Sequence, residues 1–314
     1  MQVNEKIFIA GRSGQVGSAI ERKLRLEGFT NIIGLRSKEL DLRNQALVEE
    51  YFQTEKPDYV ILAAAKVGGI LANINSPAEF LYDNLAIQNN IIECSRKYGV
   101  NKLLFLASSC IYPRLSPQPM KEEYLMDGKV EPTNEGYAIA KIAGLKMCEM
   151  YNRQFGTDFI SIMPCNIYGY GDNFNPIRSH VVASLIRKVH EAKMSGVDHI
   201  DVWGTGKARR ELMFVDDLAD ACYFLLQNYS GNDFFNAGTG VDYSIKDLVE
   251  TIMDIEDYHV KLVFDTSKPD GMPQKLMDVT KINDSGWKAK ITLIEGLKKT
   301  YDYFLNVVLP SEEK

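Results

Sequence analysis

Tyr137-Ala138-Ile139-Ala140-Lys141 sets a phenol and an ammonium four residues apart in a helix-patterned stretch, so both project from one face. Such a pair suits the reduction of a ketone. A hydride added to the carbonyl carbon leaves an alkoxide that must receive a proton. The phenol can give it, and a nearby ammonium eases the ionisation. Ser108, just past the apolar run 102–107, can donate a hydrogen bond to the same carbonyl oxygen. Tyr-x-x-x-Lys also occurs by chance, and its bland reading is a buried tyrosine beside a lysine that reaches for solvent.

What gives the motif weight is the segment Gly11-Arg12-Ser13-Gly14-Gln15-Val16-Gly17, which follows an apolar strand and opens an amphipathic helix. Glycines at this spacing allow a tight turn, close approach of a pyrophosphate, and close helix–strand packing, with the helix N-terminus facing the phosphate charge. The segment predicts a dinucleotide, and Lys141 can then hold a nicotinamide ribose. The second strand runs on into Gly34-Leu35-Arg36-Ser37-Lys38, with no acid before Glu39 to hold a ribose 2′-hydroxyl. Arg36 and Lys38, joined by Arg12, can instead surround a 2′-phosphate, which predicts NADP(H). The plainer reading of all three is solvated surface cations. Asp41 either caps the next segment or meets the adenine.

These groups need a scaffold, and the pattern supplies one. Strand-like runs at 7–10, 31–35, 59–63, 103–107 and 159–163 alternate with helical patterns at 14–27, 45–55, 77–98 and 135–155. Ser76-Pro77 reads as a helix start and Gly99 as a stop. The alternation predicts a Rossmann-type α/β fold with a doubly wound parallel sheet, ligands lying at the carboxyl ends of its strands. After Pro164 the regularity loosens. A helix at 181–194 lies outside the sheet, whereas a helix at 216–226 and a strand at 234–237 return to it. We therefore expect a dinucleotide-binding domain over 1–164 with returning segments near 207–240, and a smaller α/β substrate lobe from 165–206 and 241–314. A net charge of −6 over 314 residues offers no footprint for nucleic acid or anionic membrane. No apolar run is long enough to span a bilayer, and the N-terminus lacks a signal-peptide pattern. Five scattered cysteines with no CxxC pair argue against a disulfide framework or a zinc site and fit a reducing cytoplasm.

The sequence resembles the extended short-chain dehydrogenase/reductases nearly end to end. The specific stretches are Ser108-Ser109-Cys110-Ile111-Tyr112-Pro113, the run from Pro132 to Lys141, Asp172-Asn173-Phe174, Ser179-His180-Val181, Val202-Trp203-Gly204-Thr205-Gly206, Arg209-Arg210-Glu211 and Lys268-Pro269-Asp270-Gly271. Within that family it is similar to the branch that epimerises C3 and C5 of GDP-4-keto-6-deoxy-D-mannose and then reduces C4 with NADPH. The resemblance implies that Cys110 and His180 are the epimerisation pair. The chemistry agrees, because both protons lie α to the C4 ketone and inversion needs a base on one ring face and an acid on the other. Thiol and imidazole both titrate near neutrality, at about 8.5 and about 6.5. An extended backbone would aim Ser108 and Cys110 the same way. Without the resemblance, Cys110 reads as a small core residue and His180 as a loop histidine.

The resemblance extends the cofactor lining to Leu42, Ala63, Ala64, Leu106, Ala107, Pro164, Asn166, Ile167 and His180. It assigns Lys188, Trp203, Arg210, Asp270 and Lys275 to the GDP-sugar, where cations suit a diphosphate and Trp203 offers a stacking face. It also implies a homodimer built on the helices at 77–98 and 135–155. Three positions depart from the pattern: Gly136 replaces a frequent Pro, Ser13 a frequent basic residue, and Gln274 a frequent Arg. With Ser13 uncharged, phosphate recognition shifts to Arg12 or Arg36. Cys110 and His180 favour epimerisation without naming the sugar, so another GDP-linked 4-keto sugar, a colitose precursor or a modified heptose, is the competing substrate. A non-catalytic dinucleotide-binding regulator on the same fold is a different class, and the complete Ser–Tyr–Lys set argues against it.

Overall fold

The computed structural model describes residues 1–176, 179–268 and 270–312. Pro269 of the 268–271 motif lies outside the described residues. The first half runs β1 (Ile7–Ala10), α1 (Gln15–Leu26), β2 (Ile32–Ile33), α2 (Gln45–Glu55), β3 (Tyr59–Leu62), α3 (Ile70–Asn75), α4 (Pro77–Lys97), β4 (Lys102–Leu106), α5 (Glu135–Phe155), β5 (Phe159–Pro164) and β6 (Asn166–Tyr168). The second runs α6 (Val181–Ser195), β7 (His199–Trp203), β8 (Arg209–Phe214), α7 (Val215–Asn228), β9 (Phe234–Ala237), β10 (Asp242–Ser244), α8 (Ile245–Glu256), β11 (Lys261–Asp265), β12 (Gln274–Lys275), α9 (Thr280–Asp284) and α10 (Leu293–Tyr303).

The main sheet has the order β2-β1-β3-β4-β5-β9, with every pairing parallel. Its central strands, Ile-Phe-Ile-Ala, Tyr-Val-Ile-Leu and Lys-Leu-Leu-Phe-Leu, are buried almost throughout, as expected for a sheet covered by helices on both faces. The chain steps outward from β1 to β2 and then crosses to β3 on the other side of β1, so a crevice opens at the carboxyl ends beside β1. The α/β fold expected from the alternation is the one observed. β2 is shorter than the expected 31–35, because only Ile32 and Ile33 pair with β1 before the chain leaves the sheet edge. Helix α3 had no counterpart in the sequence pattern. Asn73 stabilises it by donating to the carbonyls of Gly68 and Gly69. Nor does Asp41 cap α2: Asn44 does so, accepting from the Leu47 amide.

A second apolar cluster gathers α6, α8 and α10 around β7 and β8. Beside it β8 pairs with β6, β10 and β12, and β7 with β11. Glu211 of β8, fully buried, ties these pieces to the crevice. Its carboxylate accepts from the amides of Gly240 and Met277 at 2.7 and 2.8 Å, and burial pushes it up to about 7.

Helices α4 and α5 pack side by side. At Gly136, in the first turn of α5, a Cβ would stand 2.6 Å from the Pro77 carbonyl, so the missing side chain permits the contact. Gly136→Ala must push the two helices apart against backbone rather than a flexible side chain. We expect a loss of about 1–3 kcal/mol, read as a lower urea midpoint at unchanged m-value.

Candidate active site

Ser108, Cys110, Tyr137 and Lys141 meet at the carboxyl end of β4, inside a cleft of about 1010 Å³. That is the upper end of the range for small-molecule sites, with room for a dinucleotide and a second ligand. Local structure brings the hydroxyl and thiol together. Past β4 the chain enters a 3₁₀ turn, Ser109–Ile111, which Ser108 caps by accepting from the Cys110 amide at 3.3 Å. The extended backbone expected between them is therefore corrected: the cap, not strand alternation, puts Cys110 Sγ beside Ser108. The Ser108 hydroxyl also meets the Tyr137 phenol and the thiol.

Lys141 is buried, and its Nζ donates to the Leu106 carbonyl at 2.7 Å. Burial pulls the ammonium down to about 7. The expectation that it directly eases ionisation of the phenol needs correction. Nζ lies 6.0 Å from the Tyr137 ring centroid and 4.8 Å from that of Phe105, and the phenol is pushed up by its own burial, then by the Cys110 sulfur, with Ser108 opposing.

Cys110 is the one cysteine of the five that is not buried. Burial of its sulfur pushes the thiol up, but Lys275, Ser108 and Arg210 outweigh that and hold it below the usual thiol range. Lys275 Nζ lies 3.1 Å from Cys110 Sγ. His180, at the N-cap of α6, is exposed at the cleft rim. Behind it Asp172 is buried and raised by that burial to about 6, with His180 drawing it back down.

The glycine segment fits a dinucleotide. A Cβ on Gly17 would sit 2.1 Å from the Gly11 carbonyl, so the turn closes only with glycine there. Gly14, the N-cap of α1, offers no side-chain cap, which leaves first-turn amides for a phosphate. Gly11, Ser13, Gly14, Gln15, Val16, Asp41, Leu42, Ala63, Ala64, Leu106, Ala107, Pro164, Asn166 and Ile167 all line the cleft. Arg12, Arg36 and Lys38 do not. Arg12 is held by both carboxylate oxygens of Glu21, at 2.5 and 2.7 Å. Arg36 and Lys38 are exposed and form no ion pair among the described residues, so they are the uncommitted cations at this corner. Arg43, unremarked in the sequence, lines the cleft and is gripped by Asp41 and Asp83. Its Asp-x-Arg spacing was the only local signal.

At the far end, Lys188, Trp203, Arg210, Asp270 and Lys275 line the same cleft. Half-exposed Trp203 has Lys188 and Lys268 ammoniums at 5.7 and 5.6 Å from its ring. Arg210 donates to the carbonyls of Asp270 and Met272 and so braces that loop. The Asp270 carboxylate is engaged by the Thr205 amide and hydroxyl.

A family model described as the NAD dependent epimerase/dehydratase family matches residues 7–238. The chain belongs to that family. It is 54% identical to GDP-L-fucose synthase 1 of Arabidopsis thaliana over 96% of this chain and 94% of the relative. To GDP-L-fucose synthase of Escherichia coli (strain K12) it is 47% identical, covering 96% and 97%. Among solved structures it resembles MlghC, a GDP-mannoheptose C4 reductase from Campylobacter jejuni with NADP bound, with a TM-score of 0.90, 39% identity and coverage of 98% and 100%. That structure and this chain thus share one overall fold.

Burying Lys141 makes folding release a proton between about pH 7 and the unfolded lysine value of about 10.4. The unfolded chain binds more protons in that window, so this contribution to stability rises with pH across it and is least favourable below it. Lys141→Met loses the bond to Leu106 at every pH, so the prediction is the difference: its melting temperature should gain more, or fall less, relative to wild type at about pH 6 than at about pH 9. An equal change at both would refute this account of its burial.

Proposed function

We propose that the chain inverts C3 and C5 of GDP-4-keto-6-deoxy-D-mannose and reduces C4 with NADPH, yielding GDP-L-fucose. The observation that carries this is Cys110: a 4-keto reductase needs Ser108, Tyr137 and Lys141, but not a thiol held low beside them. Relatives named GDP-L-fucose synthase at 54% and 47% identity support the same reading.

In this scheme the Ser108 and Tyr137 hydroxyls hold the C4 oxygen. Drawing electron density onto that oxygen acidifies the C–H bonds at C3 and C5. Cys110 and His180 carry the proton transfers, one removing the proton and the other returning it on the opposite face. When bound, NADPH supplies the hydride for C4. Tyr137 then gives its proton to the C4 oxygen, and Lys141 holds the nicotinamide ribose while its bond to Leu106 fixes α5 against β4. The first-turn amides of α1 hold the pyrophosphate, with Arg36 and Lys38 at the 2′-phosphate. Trp203 stacks on the base, with Lys188 at the diphosphate. The name of the heptose reductase raises a second reading, a GDP-linked 4-keto heptose, and the low thiol favours the epimerising substrate over it.

We also propose a cytoplasmic homodimer. The five cysteines are unpaired, and no helix among the described residues is long and apolar enough to cross a membrane. Tyr82 on α4 and Ile139 and Met150 on α5 are exposed apolar side chains suited to a second copy. Sedimentation equilibrium should give twice the chain mass, and a monomer at working concentration overturns the dimer.

Incubation with GDP-4-keto-6-deoxy-D-mannose and NADPH, with NMR of the product, tests the activity. Tyr137→Phe should lower NADPH oxidation by about 10²–10⁴-fold with cofactor binding retained. Cys110→Ser should stop solvent deuterium entering C3 and C5 by a similar factor while reduction persists. Exchange at the wild-type rate in that variant would make Cys110 a packing residue.

A further inference from the structure

Lys275 is a buried cation without a carboxylate. It is 8% exposed and forms no ion pair with Asp or Glu among the described residues; the side-chain partner within hydrogen-bond distance of its Nζ is Cys110 Sγ. An ammonium withdrawn from water needs a compensating charge or a strong acceptor. The strand that carries it is clamped on both sides. The Leu276 amide donates to Gln118, the Met277 amide to buried Glu211, and the Leu276 carbonyl accepts from the Met120 amide. Lys275 also stands opposite Arg210 in the β8–β12 pairing. The fold thus holds the backbone that carries this cation beside the sulfur.

We propose that Lys275 is a positioning residue whose ammonium, set against the sulfur, favours the thiolate form of Cys110 before substrate enters. This rests on the reading of Cys110 as an epimerisation group and adds to it the source of its charge. The groups that face the sulfur are Ser108 from its own turn, Tyr137 from α5, Arg210 from β8 and Lys275 from β12. Two of these are cations and two carry hydroxyls, of which Ser108 hydrogen-bonds the sulfur. The other cysteines mark the contrast. Burial pushes Cys94 up to about 11 and Cys148 up to about 12, and it raises Cys165 and Cys222 as well. In turnover the thiolate takes the proton from carbon: the C–H bond breaks, an S–H bond forms, and the electron pair moves to the C4 oxygen held by Ser108 and Tyr137.

Iodoacetamide alkylation of the full chain, followed by mass spectrometry across a pH series with Cys110→Ser as the blank, reads the thiolate directly. Wild-type Cys110 should reach its plateau rate at a lower pH than a free thiol of midpoint about 8.5. Lys275→Met should slow alkylation at neutral pH by about tenfold or more and slow deuterium exchange at C3 and C5 with it. Lys275→Arg, which keeps the charge, should restore much of the neutral-pH reactivity. NADPH binding by fluorescence shows that each variant is folded. An unchanged pH profile in Lys275→Met overturns the proposal. So does a wild-type Cys110 that titrates like a free thiol, a result that needs no Lys275 variant to fold. Alkylation needs no sugar, so this outcome is separate from the activity test: intact exchange in Cys110→Ser removes the function assigned to Cys110, whatever its charge.

Discussion

The bond from Lys141 Nζ to the Leu106 carbonyl joins the two elements on which the site is built. Leu106 ends β4, and Ser108 and Cys110 follow it within four residues; Lys141 belongs to α5, which also carries Tyr137. Holding a buried ammonium against a strand-end carbonyl fixes the helix at one height and rotation over the sheet. Ser108, Cys110 and Tyr137 inherit that geometry. The close packing of α5 on α4 at Gly136 sets the same helix from its other side. A general acid must be placed within a fraction of an ångström to be useful, and here two independent contacts place it.

Charge in the cleft is distributed unevenly. The glycine segment presents amide dipoles and the far end Lys188 and a braced Arg210, while just outside the lining stand the uncommitted Arg36 and Lys38 at the β2 corner and Lys268 over Trp203. Acidic groups around the cleft are tied down: Asp270 to Thr205, Asp41 and Asp83 to Arg43, and Glu211 to backbone amides. A polyanionic pair of ligands meets positive or neutral surface along its length, while the carboxylates serve as internal fasteners. Glu211 shows the principle most clearly, since one buried carboxylate secures the turn at Gly240 and the strand end at Met277.

The parts legible in the sequence were those coded locally. Alternating apolar strands and amphipathic helices reveal the parallel sheet, the glycine spacing reveals the turn at α1, and the i, i+4 pair reveals Tyr137 and Lys141 on one face. What was not legible depends on contacts across the chain. The 3₁₀ turn at Ser109–Ile111 hides inside what reads as strand continuation, because a serine cap overrides the extended preference. Arg12 reads as a phosphate ligand until Glu21, one helical face away, claims it. Lys275 reads as one more cation for a diphosphate; nothing within its own segment points to a sulfur 165 positions earlier. The buried Asp172 behind His180 and the Arg43 clasp are likewise products of packing.

That separation along the chain has a consequence for biogenesis. Strands β1 to β5 lie within the first 164 residues, so most of the dinucleotide crevice can assemble as the chain emerges. The strand carrying Lys275 is made more than a hundred residues later and must close a long loop before it docks beside β8. Until it arrives, the sulfur at position 110 lacks the ammonium that stands 3.1 Å from it in the folded protein. On the proposal that Lys275 sustains the charge on that sulfur, the nascent chain carries Cys110 as a thiol of ordinary reactivity until β12 has docked.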